Sequence, residues 1–418
     1  MPFFARCVTL ATLGALCACA PSPQPPVQVM ALVRSGGSGG TYQPTQVALR
    51  TVTDPVALEG AVARLIGGAR IDMDPADPLL ALNGGNLSDA QLEQVFVKEE
   101  GRSPRANFVS KDGVLWPADF HTWNLATTYY NFEQAFDHFQ AVGVPGATLG
   151  QVPVYYFPDF RLRELSPQPQ RDNALYFSPV RAFLVLPFDE LQATPLSINQ
   201  AIVAHEYAHL VWTREVMGGA ALPPVFGRWT TTAAVNVNIL KSLDEGLADF
   251  HAFAASCRTA FGCDTRFMAS SFSEAQADAR DISRQDLCLT EGLRNTLQSL
   301  GVNEFTGRSF HYAVGSAIAS SLYHAGAGPE DWEQLSGALV SAYQSTDPRG
   351  LYELINENLE TPQNFSLEAS LDVLLAHISA PDLRTKVCSQ FLGRLRVARE
   401  HMPSCPGTSA PAQNGCAQ

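Results

Sequence analysis

The chain has 418 residues, of which 46% are hydrophobic and 17% are charged. This length and composition exclude a small disulfide-stapled scaffold and a disordered chain, and they leave room for two or three hydrophobic cores. Lys and Arg total 28 against 41 Asp and Glu, which gives a net charge of -13. Without a basic run or patch, we expect no nucleic-acid partner.

The first residues have the pattern of an export signal. Arg6 precedes the apolar run Cys7 to Leu16, which is too short to span a bilayer as a permanent helix, so residues 1–18 are interpreted as a signal peptide. The sequence Leu16-Cys17-Ala18-Cys19 resembles a bacterial lipobox, which implies lipidation of Cys19 and a membrane partner reached through a lipid anchor. By the same resemblance, Ala20 favours the outer over the inner membrane of the cell envelope. An ordinary cleaved signal, or lipidation at Cys17, is the alternative.

A proline-rich and then glycine-rich stretch follows, and residues 19–44 are predicted to be a tether, with the folded part starting near Thr45. Residues 45–115 form either an N-terminal lobe or a short inhibitory pro-segment. Helices are predicted there over Val56–Leu65 and directly after Ser88.

The pattern is clearer in residues 116–257, predicted to be the N-lobe of the functional domain. Apolar residues recur at steps of three and four and predict one core-facing helix stripe: Leu125, Tyr129, Phe132, Phe136 and Phe139. Runs rich in aromatic and β-branched residues predict strands over Val152–Phe157 and Ala174–Pro187. Pro179 restricts part of the second run to a sheet edge or a bulge.

From Ser197 onward the chain is predicted to be mainly helical, which makes the fold class α+β with a helical C-terminal lobe over residues 258–400 and a tail over 401–418. The predicted helices are Ile198–Arg214, Ala233–Cys257, Phe310–His324, Glu330–Gln344 and Ser366–Ile378. Outside the leader and lipobox there are six cysteines, which indicate disulfides in an exported protein. Six cysteines allow 15 pairings, of which the local pair Cys257–Cys263 is the first choice.

The most specific motif is His205-Glu206-Tyr207-Ala208-His209, in an otherwise apolar helical segment. On a helix the two histidines lie one turn apart on the same face, where their imidazoles can hold one zinc ion, and Glu206 lies beside the metal-bound water. Two satisfied core histidines with a capping glutamate are the alternative reading.

A catalytic zinc needs a third protein ligand and a position left open for water. The segment Leu243-Asp-Glu-Gly-Leu-Ala-Asp-Phe250 is also helical and places Glu245 and Asp249 one turn apart. Glu245 can be the third ligand, and Asp249 can accept a hydrogen bond from the far nitrogen of a liganding histidine. The remaining histidines lack partners at metal spacing, and His251 lies on a different helix face from Asp249.

With the histidine motif and the Glu245–Asp249 segment taken together, the chain resembles the gluzincin metallopeptidases, most closely the thermolysin-like branch. Three more segments between residues 119 and 325 carry the resemblance: Asp119–Tyr130 is similar to an aromatic helix of the family, Asn173–Tyr176 to its substrate-binding edge strand, and Phe310–Gly315 to a later helix that carries a histidine. The resemblance implies a two-lobe fold in which the N-terminal lobe holds a mixed sheet and the zinc helix. It also implies that Asn173 and Ala174 pair with an extended peptide or protein substrate.

By this resemblance the chain is a zinc-dependent endopeptidase with one catalytic zinc. Zinc held by His205, His209 and Glu245 polarises a water and the scissile carbonyl, and Glu206 is the general base. His311 stabilises the oxyanion, with Tyr312 as an alternative donor.

The chain also departs from the family pattern. The 35 residues between His209 and Glu245 are a longer connection than is usual, no run of acidic residues matches the family's calcium sites, and there is no room for a large pro-domain before Trp116. Calcium is therefore possible but not evident. Two functions remain as alternatives: an inactive or zinc-stabilised peptide-binding lipoprotein, and a zinc aminopeptidase.

Overall fold

The structure is a computed structural model, and it describes the following residues: 25–35, 40–74, 76–79, 87–163, 166–188, 195–219, 233–258, 262–267, 278–298, 308–344, 350–358, 365–413 and 415–416. The predicted signal peptide, the lipobox and Cys19 lie outside these ranges. None of the helices within them combines the length and the apolar character needed to cross a bilayer.

The strands of the described chain form three sheets. A four-stranded sheet has the order β2–β1–β9–β8, a six-stranded sheet β12–β13–β10–β5–β4–β3, and a three-stranded sheet β11–β6–β7. The strand bounds are β1 Val27–Ser35, β2 Thr41–Leu49, β3 Val52–Asp54, β4 Glu59–Gly60, β5 Ala63–Gly67, β6 Arg70–Met73, β7 Val97–Glu99, β8 Phe108–Lys111, β9 Val114–Pro117, β10 Val152–Tyr156, β11 Asp159–Leu162, β12 Ala174–Phe177 and β13 Ala182–Val185. Parallel and antiparallel pairs occur together, so the sheets are mixed.

Helices dominate the second half of the chain, which confirms the α+β class and the helical C-terminal region. The helix bounds are α1 Asp89–Phe96, α2 Phe120–Ala141, α3 Gly146–Leu149, α4 Gln200–Glu215, α5 Ala233–Cys257, α6 Glu291–Leu297, α7 Arg308–Ala325, α8 Pro329–Gln344, α9 Leu351–Asn358, α10 Leu367–Ala376 and α11 Pro381–Arg394. The five helices predicted after Ser197 are all present, and α5 has the predicted bounds. One continuous core joins the six-stranded sheet to these helices.

Two predictions for the N-terminal part are wrong. Val27–Ser35 belongs to the predicted tether but forms β1, paired antiparallel with β2, because Val29, Ala31 and Val33 alternate and are buried on one face. Val56–Leu65 is predicted to be a helix but forms a turn followed by β4 and β5. The carboxylate of Asp54 accepts hydrogen bonds from the amides of the two residues after Pro55 and stabilises this turn instead of a first helical turn.

Helix α2 begins at Asp119, whose carboxylate accepts a hydrogen bond of 2.8 Å from the amide of Thr122. The predicted apolar stripe faces the core, and Phe136 is the one member that is only partly buried. Phe132 lies 4.6 Å from Phe183 of β13, between ring centroids, which packs the helix on the six-stranded sheet. The predicted helix after Ser88 is α1, closed by a capping box between Ser88 and Gln91.

Residues Ala174–Pro187 form two strands rather than one. Pro179 lies in a 3-10 turn between β12 and β13, so the strand reverses direction there. Because β12 ends the strand order and has β13 as its one neighbour among the described strands, it is an edge strand of the six-stranded sheet. Part of the predicted run therefore lies at a sheet edge, whereas Pro179 itself lies in the turn and not in a strand.

Helices α5 and α7 pack very closely where two glycines meet. A Cβ atom built on Gly246 would lie 2.6 Å from the carbonyl oxygen of Gly315, so a side chain at either position would separate the helices. This contact places the N-terminal part of α7, which carries His311, beside Asn238 of α5.

The six cysteines outside the leader form three disulfides, and the predicted Cys257–Cys263 pair is one of them. Cys388–Cys405 and Cys288–Cys416 tie the tail to the helical region. The buried guanidinium of Arg394 donates hydrogen bonds of 3.0 and 2.9 Å to the carbonyl and the side-chain oxygens of Gln285. The irregular segment around residue 285 is thus fixed by α11 and by the tail.

A buried polar network connects α2, α5 and α8. Ser336 Oγ lies 2.7 Å from Nδ1 of His251 and 3.3 Å from Nε2 of His138, and Nε2 of His251 lies 3.2 Å from the hydroxyl of Tyr343. Burial lowers the pKa of His251 to about 3 and that of His138 well below its usual value. Both histidines are therefore neutral in the folded protein, which agrees with a structural role for His251.

We predict that this network makes the free energy of unfolding depend on pH. The unfolded chain binds a proton at each of these two histidines with a pKa of about 6.5, whereas the folded chain does not, so the contribution of the network to stability is constant above that pH and decreases below it. Each histidine contributes a slope of about 1.4 kcal/mol per pH unit.

Urea unfolding of wild-type and His251→Phe proteins between pH 4.5 and 7.5 measures this slope. Unfolding of the His251→Phe variant should take up about one proton fewer than unfolding of the wild type. Replacement of the exposed His401 by Gln should leave the slope unchanged. Equal slopes in wild type and His251→Phe would contradict the assignment.

Candidate metal centre and active-site cleft

Helix α4 presents two histidines on one face. The side chain of Asn199 caps the helix by accepting hydrogen bonds from the amides of Ala201 and Ile202. His205 and His209 lie one turn apart, and their Nε2 atoms are 3.1 Å from each other. The local helix period alone is sufficient to bring these two atoms together.

Helix α5 contributes a third atom to the same place. Oε2 of Glu245 lies 3.3 Å from Nε2 of His205 and 3.8 Å from Nε2 of His209. Zinc bonds of 2.0–2.1 Å at tetrahedral angles place ligand atoms about 3.3–3.4 Å apart. The three observed separations lie close to this value, so the His205, His209 and Glu245 group has the dimensions of a metal site.

Carboxylates behind the imidazoles fix their orientation. Nδ1 of His205 lies 3.0 Å from Oδ1 of Asp249, and Nδ1 of His209 lies 2.7 Å from Oδ1 of Asp244. In a neutral imidazole this arrangement holds the proton on Nδ1, so that Nε2 directs a lone pair at Glu245. Three electron-rich atoms therefore converge without a hydrogen between them, and they require a cation or extra protons.

The pKa shifts of His205 and Glu245 also indicate that positive charge is needed between the convergent atoms. Burial by itself would lower the pKa of His205, but hydrogen bonds to Asp249 and Glu245 outweigh burial and raise it to about 10. Burial likewise opposes the ionisation of Glu245, yet its hydrogen bond to His205 and the nearby positive charges lower its pKa. Without a metal, the group would hold protons in the place where a cation fits.

Arg280 is a further member of the site that sequence reasoning missed. Its guanidinium forms an ion pair with Asp249, lies 4.0 Å from Oε2 of Glu245, and stacks on Tyr312 with 4.2 Å between the guanidinium carbon and the ring centroid. Burial would raise the pKa of Asp249, but Arg280 and His205 outweigh burial and lower it. Arg280 thereby keeps the carboxylate behind His205 ionised.

The convergent atoms open on a cleft between β12 and helices α4, α5 and α7. Its lining residues are Asn173, Ala174, Leu175, Tyr176, Glu206, His209, Lys241, Asp244, Glu245, His311 and Tyr312. Oε2 of Glu206 accepts a hydrogen bond of 2.8 Å from the amide of Tyr176. Burial raises the pKa of Glu206, and the two histidines oppose this shift. The backbone of the edge strand thus holds this carboxylate in position.

His311 faces the cleft from α7. It is 4% exposed, and its Nε2 lies 3.3 Å from Oδ1 of Asn238. Tyr312, next to it, is partly buried under Arg280. Both of the predicted oxyanion donors therefore line the cleft from α7.

The structure brings all of the predicted site residues within the described ranges together. Glu206, His209, Glu245, His311, Tyr312, Asn173 and Ala174 line the cleft, and His205 and Asp249 lie directly behind it. Cys19, the predicted lipidation site, lies outside the described residues. Asp244, Lys241 and Arg280 are residues of the site that the sequence analysis missed. Asp244 directly precedes Glu245, and Lys241 lies one helical turn before Glu245, so the helix period could have predicted that both lie near the site. Arg280 had no such signal, because it lies 31 residues after Asp249, beyond the reach of helix periodicity.

The charges around the convergent atoms favour a divalent cation. Four carboxylates and two cationic side chains surround them: Glu206, Asp244, Glu245, Asp249, Lys241 and Arg280. With all of these ionised, two negative charges remain, and one divalent cation would neutralise them. The residues therefore fit a metal in number, geometry and charge.

Comparison of the whole chain with known proteins matched neither a protein-family model nor a curated protein.

We predict that the two supporting carboxylates strengthen metal binding. Asp244→Asn and Asp249→Asn should each weaken the affinity for Zn²⁺ about 10- to 100-fold, because an amide stabilises the oriented imidazole less than a carboxylate does. Titration of the metal-free protein in competition with a chromogenic chelator measures this affinity. Asp382→Asn, at the exposed start of α11, is the matched control and should bind Zn²⁺ as the wild type does. Unchanged affinity in both cleft variants would show that the carboxylates do not support a metal.

Proposed function

We propose that this chain is a zinc-dependent endopeptidase. The observation that carries the proposal is the three-atom group of His205, His209 and Glu245, which opens on a cleft that also holds Glu206. Two imidazoles and one carboxylate are a donor set that zinc prefers, and three protein ligands leave one position for water or substrate. A purely structural zinc would have four protein ligands, so an open site favours catalysis.

The metal, when bound, polarises a water molecule and the scissile carbonyl of a peptide. Glu206 then accepts a proton from the water and passes it to the leaving amine. The hydrogen bond from the Tyr176 amide supports this role, because it holds one carboxylate oxygen of a residue that lines the cleft and leaves the other oxygen to accept a proton. Glu206 thus acts from the side of the cleft that the substrate also approaches.

The edge strand β12 provides a backbone for substrate pairing. The amide of Leu186 donates a hydrogen bond to the carbonyl of Asn173, so the backbone polar groups of Asn173 point towards β13. Because these groups alternate along a strand, the backbone amide and carbonyl of Ala174 point towards the open edge. The Ala174 amide is bonded to the side-chain oxygen of Asn173 at 3.0 Å, and an incoming peptide carbonyl can take the place of that oxygen. An extended peptide paired along this edge would pass directly over Glu206 and the ligand atoms.

His311 and Tyr312 on α7 are the oxyanion donors of the proposed peptidase. A donor on α7 that lines the cleft can hydrogen-bond the carbonyl oxygen as negative charge develops on it, and the contact with Asn238 holds the His311 ring in place. The proposal extends to a thermolysin-like two-lobe fold. The order of edge strand, histidine helix, glutamate helix and His311 helix along the chain supports it. An experimental structure in which the cleft does not lie between a strand-bearing and a helical lobe would contradict that fold.

We predict that Glu206→Gln abolishes peptide hydrolysis while metal content is retained. Loss of a general base lowers kcat about 10²- to 10⁴-fold, and the neutral amide of the variant cannot accept the proton of water. Hydrolysis of a quenched peptide by the zinc-loaded protein, together with metal analysis of the same sample, measures both properties. Glu215→Gln, at the end of the same helix, should retain wild-type turnover. Full activity in Glu206→Gln would remove the proposed base.

We predict that His311→Phe lowers kcat more than it raises KM, because an oxyanion donor acts mainly in the transition state. Steady-state kinetics on the same peptide give both parameters. His324→Phe tests a histidine elsewhere on α7 that is half-buried and lies 3.4 Å from the carbonyl of Arg284, and it should leave kcat near the wild-type value. If His311→Phe changes only KM, or loses zinc, the residue binds substrate or supports the fold instead.

A further inference from the structure

The four-stranded sheet has one face towards the protein core and one face away from it. Val29, Ala31 and Val33 of β1 belong to the core, and the partly buried side chains of Phe108 in β8 and Leu115 in β9 pack against it. Side chains alternate between the two faces along a strand. The residues next to these in β8 and β9 therefore lie on the outer face of the sheet.

The outer face carries an exposed patch on the hairpin of β8 and β9. Val109 lies opposite Trp116 and Lys111 lies opposite Val114, and these four residues are named the hairpin patch. Val109 is 59% exposed and Trp116 is 36% exposed. The ammonium of Lys111 lies 5.7 Å from the centre of the Trp116 ring. None of the three apolar members belongs to a hydrophobic core of the described chain, and apolar side chains exposed side by side mark an interaction surface.

The charge of this sheet favours a lipid surface as the partner. Its four strands contain no aspartate or glutamate, although the whole chain has 41 of them, and the nearest acidic residue of the hairpin is Asp112 in the turn. The charged residues of the strands are Lys111 and Arg34, and Arg34 forms an ion pair with Asp264. A tryptophan ring is stable at the boundary between headgroups and acyl chains, and a lysine beside it is attracted to anionic headgroups.

The predicted lipid anchor would hold this patch close to a membrane. Cys19 lies about eight residues before Val27, where β1 begins, and eight residues span at most about 29 Å. Strand β9 runs parallel to β1, with Leu115 beside Val29. Trp116 is therefore about three residues, or about 10 Å, along the sheet from the start of β1. The hairpin patch lies near the point where the tether from the anchor enters the fold.

We propose that the hairpin patch docks on the headgroup region of an anionic phospholipid membrane. Trp116 and Val109 enter the boundary between headgroups and acyl chains, and Lys111 binds lipid phosphates. A single lipid anchor holds a protein at the membrane without fixing its orientation, whereas this second contact determines which side of the protein faces the bilayer. The proposal is independent of the proposed peptidase function.

The test attaches the chain, from Cys19 onward, to vesicles of phosphatidylethanolamine and phosphatidylglycerol that carry a maleimide lipid. The other six cysteines of this chain form the three disulfides, so the coupling occurs at the predicted lipidation site. Tryptophan fluorescence is compared between vesicles with brominated and with ordinary acyl chains, because bromine quenches rings that reach the bilayer. The wild type should be quenched by the brominated chains, and Trp116→Phe should lose most of this quenching.

Charge variants test the role of the lysine. Lys111→Glu should lower the ratio of docked to undocked protein about tenfold or more, because each charge near an anionic surface changes binding about fivefold. The effect should disappear on vesicles in which phosphatidylcholine replaces phosphatidylglycerol. Lys386→Glu changes an exposed lysine on α11 and is the matched control, which should dock as the wild type does.

Three results would overturn the proposal. The first is equal fluorescence of the wild type on brominated and ordinary vesicles. The second is undiminished quenching in Trp116→Phe, which would assign the membrane contact to another tryptophan. The third is a dimer of the uncoupled chain, measured by sedimentation, that Val109→Asp dissociates. That result would show that the hairpin patch binds a second copy of the chain instead of lipid.

Discussion

Three electron-rich atoms, the Nε2 atoms of His205 and His209 and Oε2 of Glu245, are directed at the same small volume. Such an arrangement is unfavourable unless positive charge lies between the atoms, because neutral imidazoles and a carboxylate offer only lone pairs there. The surrounding structure maintains this arrangement instead of relieving it. Asp249 and Asp244 hold the rings from behind, and Arg280 holds Asp249.

Support for the site extends beyond the residues that touch it. Arg280 belongs to an irregular segment that Arg394 fastens through Gln285 and that the Cys288–Cys416 disulfide ties to the tail. On the opposite side, the close contact between Gly246 and Gly315 sets the distance between α5 and α7. The C-terminal region therefore positions residues of the cleft, and it also provides His311 to the cleft lining.

Each element that lines the cleft contributes different groups to it. The edge strand β12 offers backbone groups and orients Glu206 through the Tyr176 amide. Helices α4 and α5 supply the three convergent atoms, and α7 supplies His311 and Tyr312.

The sequence by itself determined the features that depend on local periodicity. The helix period placed His205 beside His209, Glu245 one turn from Asp249, and the aromatic stripe of α2 on the core, because these relations need only the geometry of a single helix. The same criterion failed at Val56–Leu65, where a turn stabilised by Asp54 competes with the helix, and at Val27–Ser35, where the flanking composition concealed an alternating strand. Only the tertiary structure decided that Asp244 supports His209, that Arg280 supports Asp249, and how four of the six disulfide-bonded cysteines pair. These contacts join residues that are 17 to 128 positions apart in the chain, beyond the reach of helix periodicity, so they form only when tertiary packing brings the segments together.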